Sequence, residues 1–359
     1  MGKLTGTASA VLLATIVSTT GTACAATAPA AATAETTSIT DARIETITDA
    51  RIDRWDAAMD AIVPQDWKIE KLADGFGWAE GPIWIKSGGY LLFSDVPGNK
   101  MYKWSEKGGL EKFLDPSGAV SWDPEVWRET GSNGLAIFDA HSILLADSGN
   151  RGIQRLDLAT KKKTPVAMSY EGKKFSSPND VIRMKNGVIF FTDPPYGFKK
   201  FDAAPEKEIA FNGVYRVAPD GKVTVIEKEL TRPNGVALSP DESVLYVAQS
   251  EGSKPIINAY SLDEHGNVTG KKLFQDTSDL AGPDAPGAPD GLTVAADGTV
   301  FTSGPGGVLV ISKDGKRLGR IWDGKQTANC KFGDDGRTLY MTSSNMLARI
   351  RLNIEGIGF

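Results

Sequence analysis

From Trp67 to the end of the chain, apolar segments of four to eight residues alternate with turns rich in Gly, Asp, Asn and Pro. The apolar segments are rich in Val, Ile, Leu, Phe and Tyr, and almost no stretch keeps an uninterrupted helical period. Short β-rich segments separated by frequent turns are typical of all-β folds. The pattern therefore predicts many short antiparallel strands in this region and very little helix.

One motif recurs six times in the same region: a polar residue, usually followed by Gly, then an apolar strand, a turn and a second apolar strand. The six polar residues are Glu80, Asn133, Asn179, Asn234, Asp290 and Asn329. They are spaced 53, 46, 55, 56 and 39 residues apart, which suits four-stranded blades with loops of variable length. We predict an all-β fold, a six-bladed β-propeller of four-stranded antiparallel blades over residues 66–359. A strand Trp67–Leu72 would close the last blade beside Leu347–Leu352.

The first residues follow the pattern of an export signal. Lys3 precedes an uncharged, mostly apolar run, and Ala23-Cys24-Ala25 offers a small-x-small cleavage site. Residues 1–25 are therefore predicted to be a signal peptide of a periplasmic or secreted protein. A lipoprotein anchor through Cys24 is the weaker alternative, because Gly21 stands where a branched aliphatic residue is usual. The apolar run is too short and too rich in Thr and Gly to predict a membrane span.

Residues 26–65 are rich in Ala and Thr and are predicted to form a flexible leader. Within it, Ile52, Trp55, Met59 and Ile62 fall at helical spacing, and Pro64 follows them. This spacing predicts a short helix from Arg51 to Ile62.

Composition narrows the choice of partner and metal. The 359 residues include 40 Lys and Arg against 45 Asp and Glu, with no basic run, which argues against nucleic acid or an anionic membrane as the partner. Two His and two Cys are too few for a His-rich zinc or di-iron centre, a disulfide framework or an iron–sulfur cluster. A metal in this chain would be held mostly by oxygen. We expect a monomer or dimer that acts on a small molecule.

The six repeated polar residues would meet at the axis of a propeller, because the innermost strand of every blade lines the central channel. Two carboxylates and several amides would then share one small volume without any Lys or Arg among them. Such a cluster is unfavourable unless a cation neutralises it, and Ca²⁺ prefers six to eight hard oxygen ligands. Asn-Gly and Asp-Gly are also strong hairpin-turn signals, and Asn133 and Asn329 stay open to that interpretation.

Five motifs carry a family resemblance, over about residues 66 to 352. They are Trp78-Ala79-Glu80-Gly81-Pro82-Ile83-Trp84, Ser177-Pro178-Asn179-Asp180-Val181, Phe191-Thr192-Asp193-Pro194-Pro195-Tyr196-Gly197, Arg232-Pro233-Asn234-Gly235-Val236-Ala237 and Pro289-Asp290-Gly291-Leu292. Together and in this order they resemble the senescence-marker-protein/gluconolactonase/luciferin-regenerating-enzyme family of calcium-dependent six-bladed propellers, which includes regucalcin. The third motif is similar to the bacterial gluconolactonase branch.

The resemblance implies roles for individual residues. The implied calcium ligands are Glu80, Asn179, Asn234 and Asp290. Asp290 would also be the general base, with Asp180 as the alternative base. The implied substrate contacts are Asn133, Asn179, Asp193, Tyr196 and Arg232. His141 and His265 match no motif of the family.

The resemblance also implies an activity, the hydrolysis of a sugar lactone, with D-glucono-1,5-lactone giving D-gluconate as the leading expectation. Zn²⁺, Mn²⁺ or Mg²⁺ in place of Ca²⁺ is an alternative for the cofactor. A phosphotriesterase, a hydrolase of other sugar or aryl lactones, and a non-catalytic calcium-stabilised binding module are the alternatives for function.

Overall fold

The computed structural model describes residues 1–2 and 44–359. Apart from its first two residues the predicted signal peptide lies outside the described residues, and so does the predicted leader up to residue 43. Among the described residues, no helix is both long enough and apolar enough to cross a membrane.

The described chain is built almost entirely of short strands, with one α-helix, α1 (Met59–Ile62), and two short 3₁₀ turns, Phe201–Ala203 and Ser278–Leu280. The strands are, in chain order, β1 (Glu45–Thr46), β2 (Arg51–Arg54), β3 (Ile69–Asp74), β4 (Ala79–Ile85), β5 (Tyr90–Asp95), β6 (Lys100–Ser105), β7 (Gly109–Leu114), β8 (Ser132–Asp139), β9 (Ser142–Asp147), β10 (Gly152–Asp157), β11 (Lys163–Ala167), β12 (Ser169–Tyr170), β13 (Lys173–Lys174), β14 (Val181–Arg183), β15 (Ile189–Asp193), β16 (Gly213–Val217), β17 (Val223–Glu227), β18 (Pro233–Leu238), β19 (Val244–Gln249), β20 (Ile256–Leu262), β21 (Val268–Asp276), β22 (Leu292–Val294), β23 (Val300–Gly304), β24 (Gly307–Ile311), β25 (Arg317–Trp322), β26 (Thr327–Gly333), β27 (Thr338–Ser343) and β28 (Met346–Arg351).

Six antiparallel sheets form the blades of the predicted propeller. Blades 1 to 4 each run outward through four consecutive strands, β4–β7, β8–β11, β14–β17 and β18–β21. Blade 5 contains β22–β25 and blade 6 contains β26–β28 with β3. The innermost strands contact one another in a circle, β4 with β8, β8 with β14, β14 with β18, β18 with β22, β22 with β26, and β26 with β4. The six-bladed prediction is confirmed.

The hydrophobic core lies between neighbouring blades. One cluster combines Ile83 and Leu92 of blade 1 with Leu135 and Leu145 of blade 2, all of them buried. Because each strand alternates its side chains between two faces, every sheet can pack against a neighbour on both sides. Packing of this kind holds the inner strands at fixed positions around the axis.

The two ends of the propeller sequence meet in blade 6. The strand β3 pairs with β28, and Ile69 lies opposite Ile350. This is the closure expected for Trp67–Leu72, with the strand shifted two residues along the chain. The pairing covers an edge of the sheet that would otherwise be open.

The helix predicted from Arg51 to Ile62 is wrong over its first part. Residues Arg51–Arg54 form β2, which adds a fifth strand to blade 5 by pairing with β25, and only Met59–Ile62 are helical. The side chain of Asp53 accepts a hydrogen bond from Arg320 Nε over 2.7 Å, which fixes the strand in place. Trp55, one of the residues at helical spacing, lies outside the helix and is 42% exposed. The strand β1 likewise adds to blade 6 beside β3, so this part of the leader belongs to the sheets.

Candidate active site

The repeated polar residues stand at the beginnings of the innermost strands, where the strand pairing is irregular. Register shifts occur between Glu80 and Ile83 in β4 and between Ser132 and Leu135 in β8. A third shift lies in β18, between Pro233 and Val236. A β-bulge bends its strand and redirects one side chain, so the polar residue can point to the axis while the strand continues into the blade.

Glycine follows the polar residue because the next inner strand passes very close. A Cβ atom added at Gly235 would lie 2.1 Å from the backbone oxygen of Asp290, and one added at Gly291 would lie 1.9 Å from Asn329 Cγ. No side chain larger than hydrogen fits at such distances unless the Asp290 backbone or the Asn329 side chain moves. The Asn-Gly and Asp-Gly pairs on the axis therefore serve close packing between blades.

The inner strands surround a cavity of about 520 Å³ at their N-terminal ends. Five of the six repeated polar residues line it, namely Glu80, Asn133, Asn179, Asn234 and Asp290. Tyr196, one of the implied substrate contacts, lines it as well. The structure thus brings together all four predicted calcium ligands and three of the predicted substrate contacts.

Three oxygen atoms at this cavity are buried and make no hydrogen bond with any residue of the described chain. They are Asn133 Oδ1, Asn234 Oδ1 and Asp290 Oδ1. A buried polar atom without a partner costs roughly 1–3 kcal/mol, and native proteins contain few of them. Three at one cavity indicate that a group from outside the chain completes the site.

A chain of hydrogen bonds fixes the orientation of the Asn234 amide. Ser250 Oγ donates to the backbone oxygen of Pro289 over 2.7 Å, so the same hydroxyl can only accept from Asn234 Nδ2, which lies 2.7 Å away. Asn234 Nδ2 is therefore held by a hydrogen bond within blade 4, and Asn234 Oδ1 remains without a partner at the cavity.

The sixth repeated residue, Asn329, is not part of the cavity lining. Its Nδ2 donates to Glu80 Oε2 over 3.2 Å, and its Oδ1 accepts from the backbone nitrogen of Cys330 over 2.8 Å. Glu80 Oε2 also accepts from the backbone nitrogen of Gly81 over 2.9 Å. Asn329 therefore holds the carboxylate of Glu80 in position.

The carboxyl groups at the cavity are electrostatically costly. The pKa of Glu80 is raised to about 7, mainly by burial; hydrogen bonds from Gly81 and Asn329 lower it, and the charges of nearby acidic side chains add to the rise. Burial also raises the pKa of Asp290 well above its usual value, with Glu80 as the largest charged contribution. Charges that repel in a poorly solvated volume favour a cation between them.

Asp180, predicted as an alternative base, does not line the cavity. Its carboxylate accepts from the backbone nitrogen of Val181 over 2.9 Å and from that of Val236 in the next blade over 3.0 Å. Burial raises the pKa of Asp180 to about 6. Asp180 occupies the position where four other blades have glycine, and it ties blade 3 to blade 4.

Asp193 and Arg232, predicted as substrate contacts, are also outside the cavity lining. Asp193 is fully buried, and its two oxygens accept from the backbone nitrogens of Ser176 and Ser177, each over 2.8 Å. Arg232 pairs with Asp202 over 2.5 Å. Neither side chain lines the cavity, so contact with a substrate stays a prediction for both residues. Asp193 instead supports the loop that carries Asn179, because a carboxylate is a strong acceptor for two adjacent N–H groups.

The structure adds cavity residues that the repeat could not indicate, among them Trp78, Arg128, Glu129 and Ser250. Trp78 belongs to the first motif, two residues before Glu80, so proximity in sequence could have suggested it. Arg128 and Glu129 belong to the long connection between β7 and β8, outside the repeated motif. Among the described residues, no group of three or more His, Cys, Asp or Glu is arranged to hold a metal. The cavity instead combines carboxylates with amides.

The family model for the SMP-30/gluconolactonase/LRE-like region matches residues 78–345 of this chain, the span that forms the blades and the cavity. The chain belongs to this family. A gluconolactonase of Zymomonas mobilis subsp. mobilis is 42% identical over 302 residues, covering 83% of this chain and 85% of that protein.

A solved structure and a second relative agree with this assignment. A gluconolactonase from Xanthomonas campestris superimposes with a TM-score of 0.74 at 30% identity, covering 87% of this chain and 98% of that one. A pentonolactonase of Haloferax volcanii is 24% identical over 269 residues, covering 74% of this chain and 81% of that protein. This member of the family is therefore a lactone-hydrolysing enzyme, a hydrolase of carboxylic esters.

Proposed function

We propose that the enzyme hydrolyses a sugar lactone, D-glucono-1,5-lactone to D-gluconate, at the cavity on the propeller axis, with a bound Ca²⁺ as cofactor. The observation that carries the proposal is the set of three buried oxygens without partners, which belong to Asn133, Asn234 and Asp290. They lie at one cavity with the carboxylate of Glu80 and the amide of Asn179.

These donors fit a hard cation. Carboxylate and amide oxygens are the ligands that Ca²⁺ accepts, whereas Zn²⁺ prefers His or Cys and Mg²⁺ demands a tighter octahedron. The residues that would hold the ion are Glu80, Asn179, Asn234 and Asp290, with the Asn133 oxygen available beside them. When bound, Ca²⁺ would polarise the carbonyl of the lactone and favour the negative charge that develops as water adds.

Asp290 would accept the proton of the attacking water. It lines the cavity, and its Oδ1 makes no hydrogen bond with any residue from 44 to 359. A carboxylate at the wall of the cavity can take up the proton of a water that adds to the carbonyl. Asp180, the alternative base, lies outside the lining of the cavity, and its carboxylate accepts from the backbone nitrogens of Val181 and Val236.

The reaction balances with water alone. The water oxygen bonds to the carbonyl carbon, and its proton passes to Asp290. The bond between that carbon and the ring oxygen then breaks, and the ring oxygen takes up a proton to give the open-chain hydroxy acid. The ring of a lactone already activates the ester, so no covalent nucleophile is required. Both histidines are exposed, outside the lining of the cavity.

A pH-stat assay tests the proposal, because each turnover releases one acid. The enzyme is freed of divalent ions with EDTA and assayed with D-glucono-1,5-lactone before and after addition of Ca²⁺, against the spontaneous rate. We expect activity to require the added ion. Hydrolysis no faster than the spontaneous rate with Ca²⁺ present would refute the sugar-lactonase assignment, and full activity in EDTA would refute the metal requirement.

The likeness to a pentonolactonase supports a second substrate of the same class. Five-carbon sugar lactones are smaller than gluconolactone and carry the same ester and hydroxyl groups, so the cavity volume admits both. Comparison of kcat/KM for the two lactones in the same assay decides which one the enzyme prefers.

A further inference from the structure

The cavity has a third acidic residue, Glu129, which is neither one of the repeated residues nor one of the expected calcium ligands. Its residue exposure is 8%, so it is nearly as buried as Glu80. One carboxylate oxygen, Oε1, accepts a hydrogen bond from Arg128 Nη2. The other, Oε2, accepts no hydrogen bond from the described residues.

The backbone around Glu129 is held by the loop that carries Tyr196. Trp127 forms a β-bridge with Phe198, and the backbone nitrogen of Arg128 donates to the oxygen of Gly197 over 2.8 Å. The backbone nitrogen of Glu129 donates to the same oxygen over 3.3 Å. Two loops from different blades are thus joined at the wall of the cavity, which gives Glu129 a defined position.

Arg128 fixes the side chain of Glu129 as well. Its Nε donates to the backbone oxygen of Tyr196 over 3.2 Å, and its guanidinium lies 5.9 Å from the Tyr196 ring and 5.2 Å from the Phe201 ring. A guanidinium restrained in this way keeps its partner carboxylate charged and oriented. The result is a prepared hydrogen-bond acceptor in the wall of the cavity.

We propose that Glu129, oriented by Arg128, recognises the hydroxyl groups of the substrate and so selects polyhydroxylated lactones over lactones without hydroxyls. The inference rests on the proposed function and assigns its specificity. A sugar lactone is uncharged and offers several O–H donors, and a fixed carboxylate is a strong acceptor for them. Trp78, in the lining of the same cavity, supplies an apolar surface for the carbon skeleton of the ring.

The alternative carboxylates are already committed. Glu80 Oε2 accepts from Asn329 and Gly81, and Asp290 is the proposed base. A site built to accept a hydrogen bond from a substrate hydroxyl discriminates strongly against an analogue that lacks it, because the acceptor is then left buried and unpaired. Glu129 is therefore the carboxylate that is free for recognition.

The test compares D-glucono-1,5-lactone with δ-valerolactone, which has the same ring without hydroxyls, in wild type, Glu129→Gln and Glu125→Gln. Glu125 lies on the same connection, is exposed and makes only a 4.0 Å ion pair with Lys199, so it is a matched control. Loss of a hydrogen bond to a charged group predicts a fall of about 10- to 100-fold in kcat/KM for gluconolactone in Glu129→Gln. The fall should lie mainly in KM, with a much smaller loss on δ-valerolactone and no loss in Glu125→Gln.

Three results would overturn the assignment. Equal losses on both lactones in Glu129→Gln would mean that Glu129 serves the chemistry or the fold, and thermal unfolding of the three proteins distinguishes these two. A fall confined to kcat would exclude a recognition role, and so would unchanged kinetics on gluconolactone. If wild type hydrolyses neither lactone above the spontaneous rate, the proposed function fails as well, whereas the other outcomes leave it intact.

Discussion

The two ends of the inner strands differ sharply in chemistry. At the N-terminal ends, a cavity of about 520 Å³ is lined by carboxylates and amides, and three buried oxygens have no partner in the described chain. At the C-terminal ends of β4, β8 and β26, a second cavity of about 400 Å³ is lined mainly by apolar side chains. Its apolar lining includes Ile83, Ile85, Ile137, Leu158, Phe332 and Phe359.

The two ends differ in their effect on the stability of the propeller. At the apolar end Ile83, Ile85 and Phe332 are buried, and burial of such side chains stabilises the fold. The polar end works against stability, because burial raises the pKa of both Glu80 and Asp290 and leaves oxygens without partners. Perturbed groups of this kind cluster at functional sites. One set of strands therefore carries an apolar end and a polar end.

The largest expected effect is a loss of kcat/KM, and it is tested by substituting one residue from each cavity. Asp290→Asn keeps the size of the side chain but removes its charge and its capacity to accept a proton, so kcat/KM for gluconolactone should fall by about 10²- to 10⁴-fold. Ile137→Ser in the second cavity changes a side chain that is 43% exposed and should leave kcat/KM nearly unchanged. The pH-stat assay measures both. Equal losses in the two variants would remove the distinction between the cavities.

A smaller effect is expected from the hydroxyl that orients Asn234. Ser250→Ala removes the acceptor of Asn234 Nδ2, so the amide can turn and its oxygen is no longer held toward the cavity. Loss of such a supporting hydrogen bond typically weakens metal binding by about 10- to 100-fold. Isothermal titration of the chelator-treated protein with Ca²⁺ measures this directly. The exposed Ser253→Ala provides the control, and equal affinity in the two variants would refute the role of Ser250.

The smallest effect concerns the close approach of the inner strands. Gly235→Ala would place a Cβ atom 2.1 Å from the Asp290 oxygen, whereas Gly252→Ala would meet nothing within 4 Å. Overpacking of this kind costs about 1–3 kcal/mol, so urea unfolding should show Gly235→Ala to be the less stable variant. Equal free energies of unfolding would mean that the strands can separate freely at this point.

Sequence alone was sufficient for the blades and for the residues that meet on the axis. The predicted fold and family are confirmed. They could be predicted because six repeats with strand-like alternation leave few other architectures. The metal ligands stay a prediction, although four of them line one cavity as expected. The sequence could not predict which groups an acidic side chain contacts. Asp180 and Asp193 look like site residues in their motifs, yet backbone N–H groups in the fold occupy both carboxylates.

Two further differences have physical causes that no motif records. Arg51–Arg54 could form a helix or a strand by spacing alone, and the open edge of β25 together with Arg320 decides for the strand. Glu129 comes from the connection between β7 and β8, outside the repeated motif, so no repeat could single it out. Both cases depend on contacts between parts of the chain that are far apart in sequence.

The closure of blade 6 also has a consequence for the order of folding steps. The strand β3 is made early, but its partner β28 lies near the C-terminus, with Ile69 opposite Ile350. During synthesis β3 must therefore wait without this partner until almost the whole chain has been made. Contacts so distant in sequence form late and slow the folding of a domain. The polar cavity is complete only after that step, since Asn329 of blade 6 holds Glu80 of blade 1. A chain that stops short of its last strands would therefore lack the assembled candidate active site.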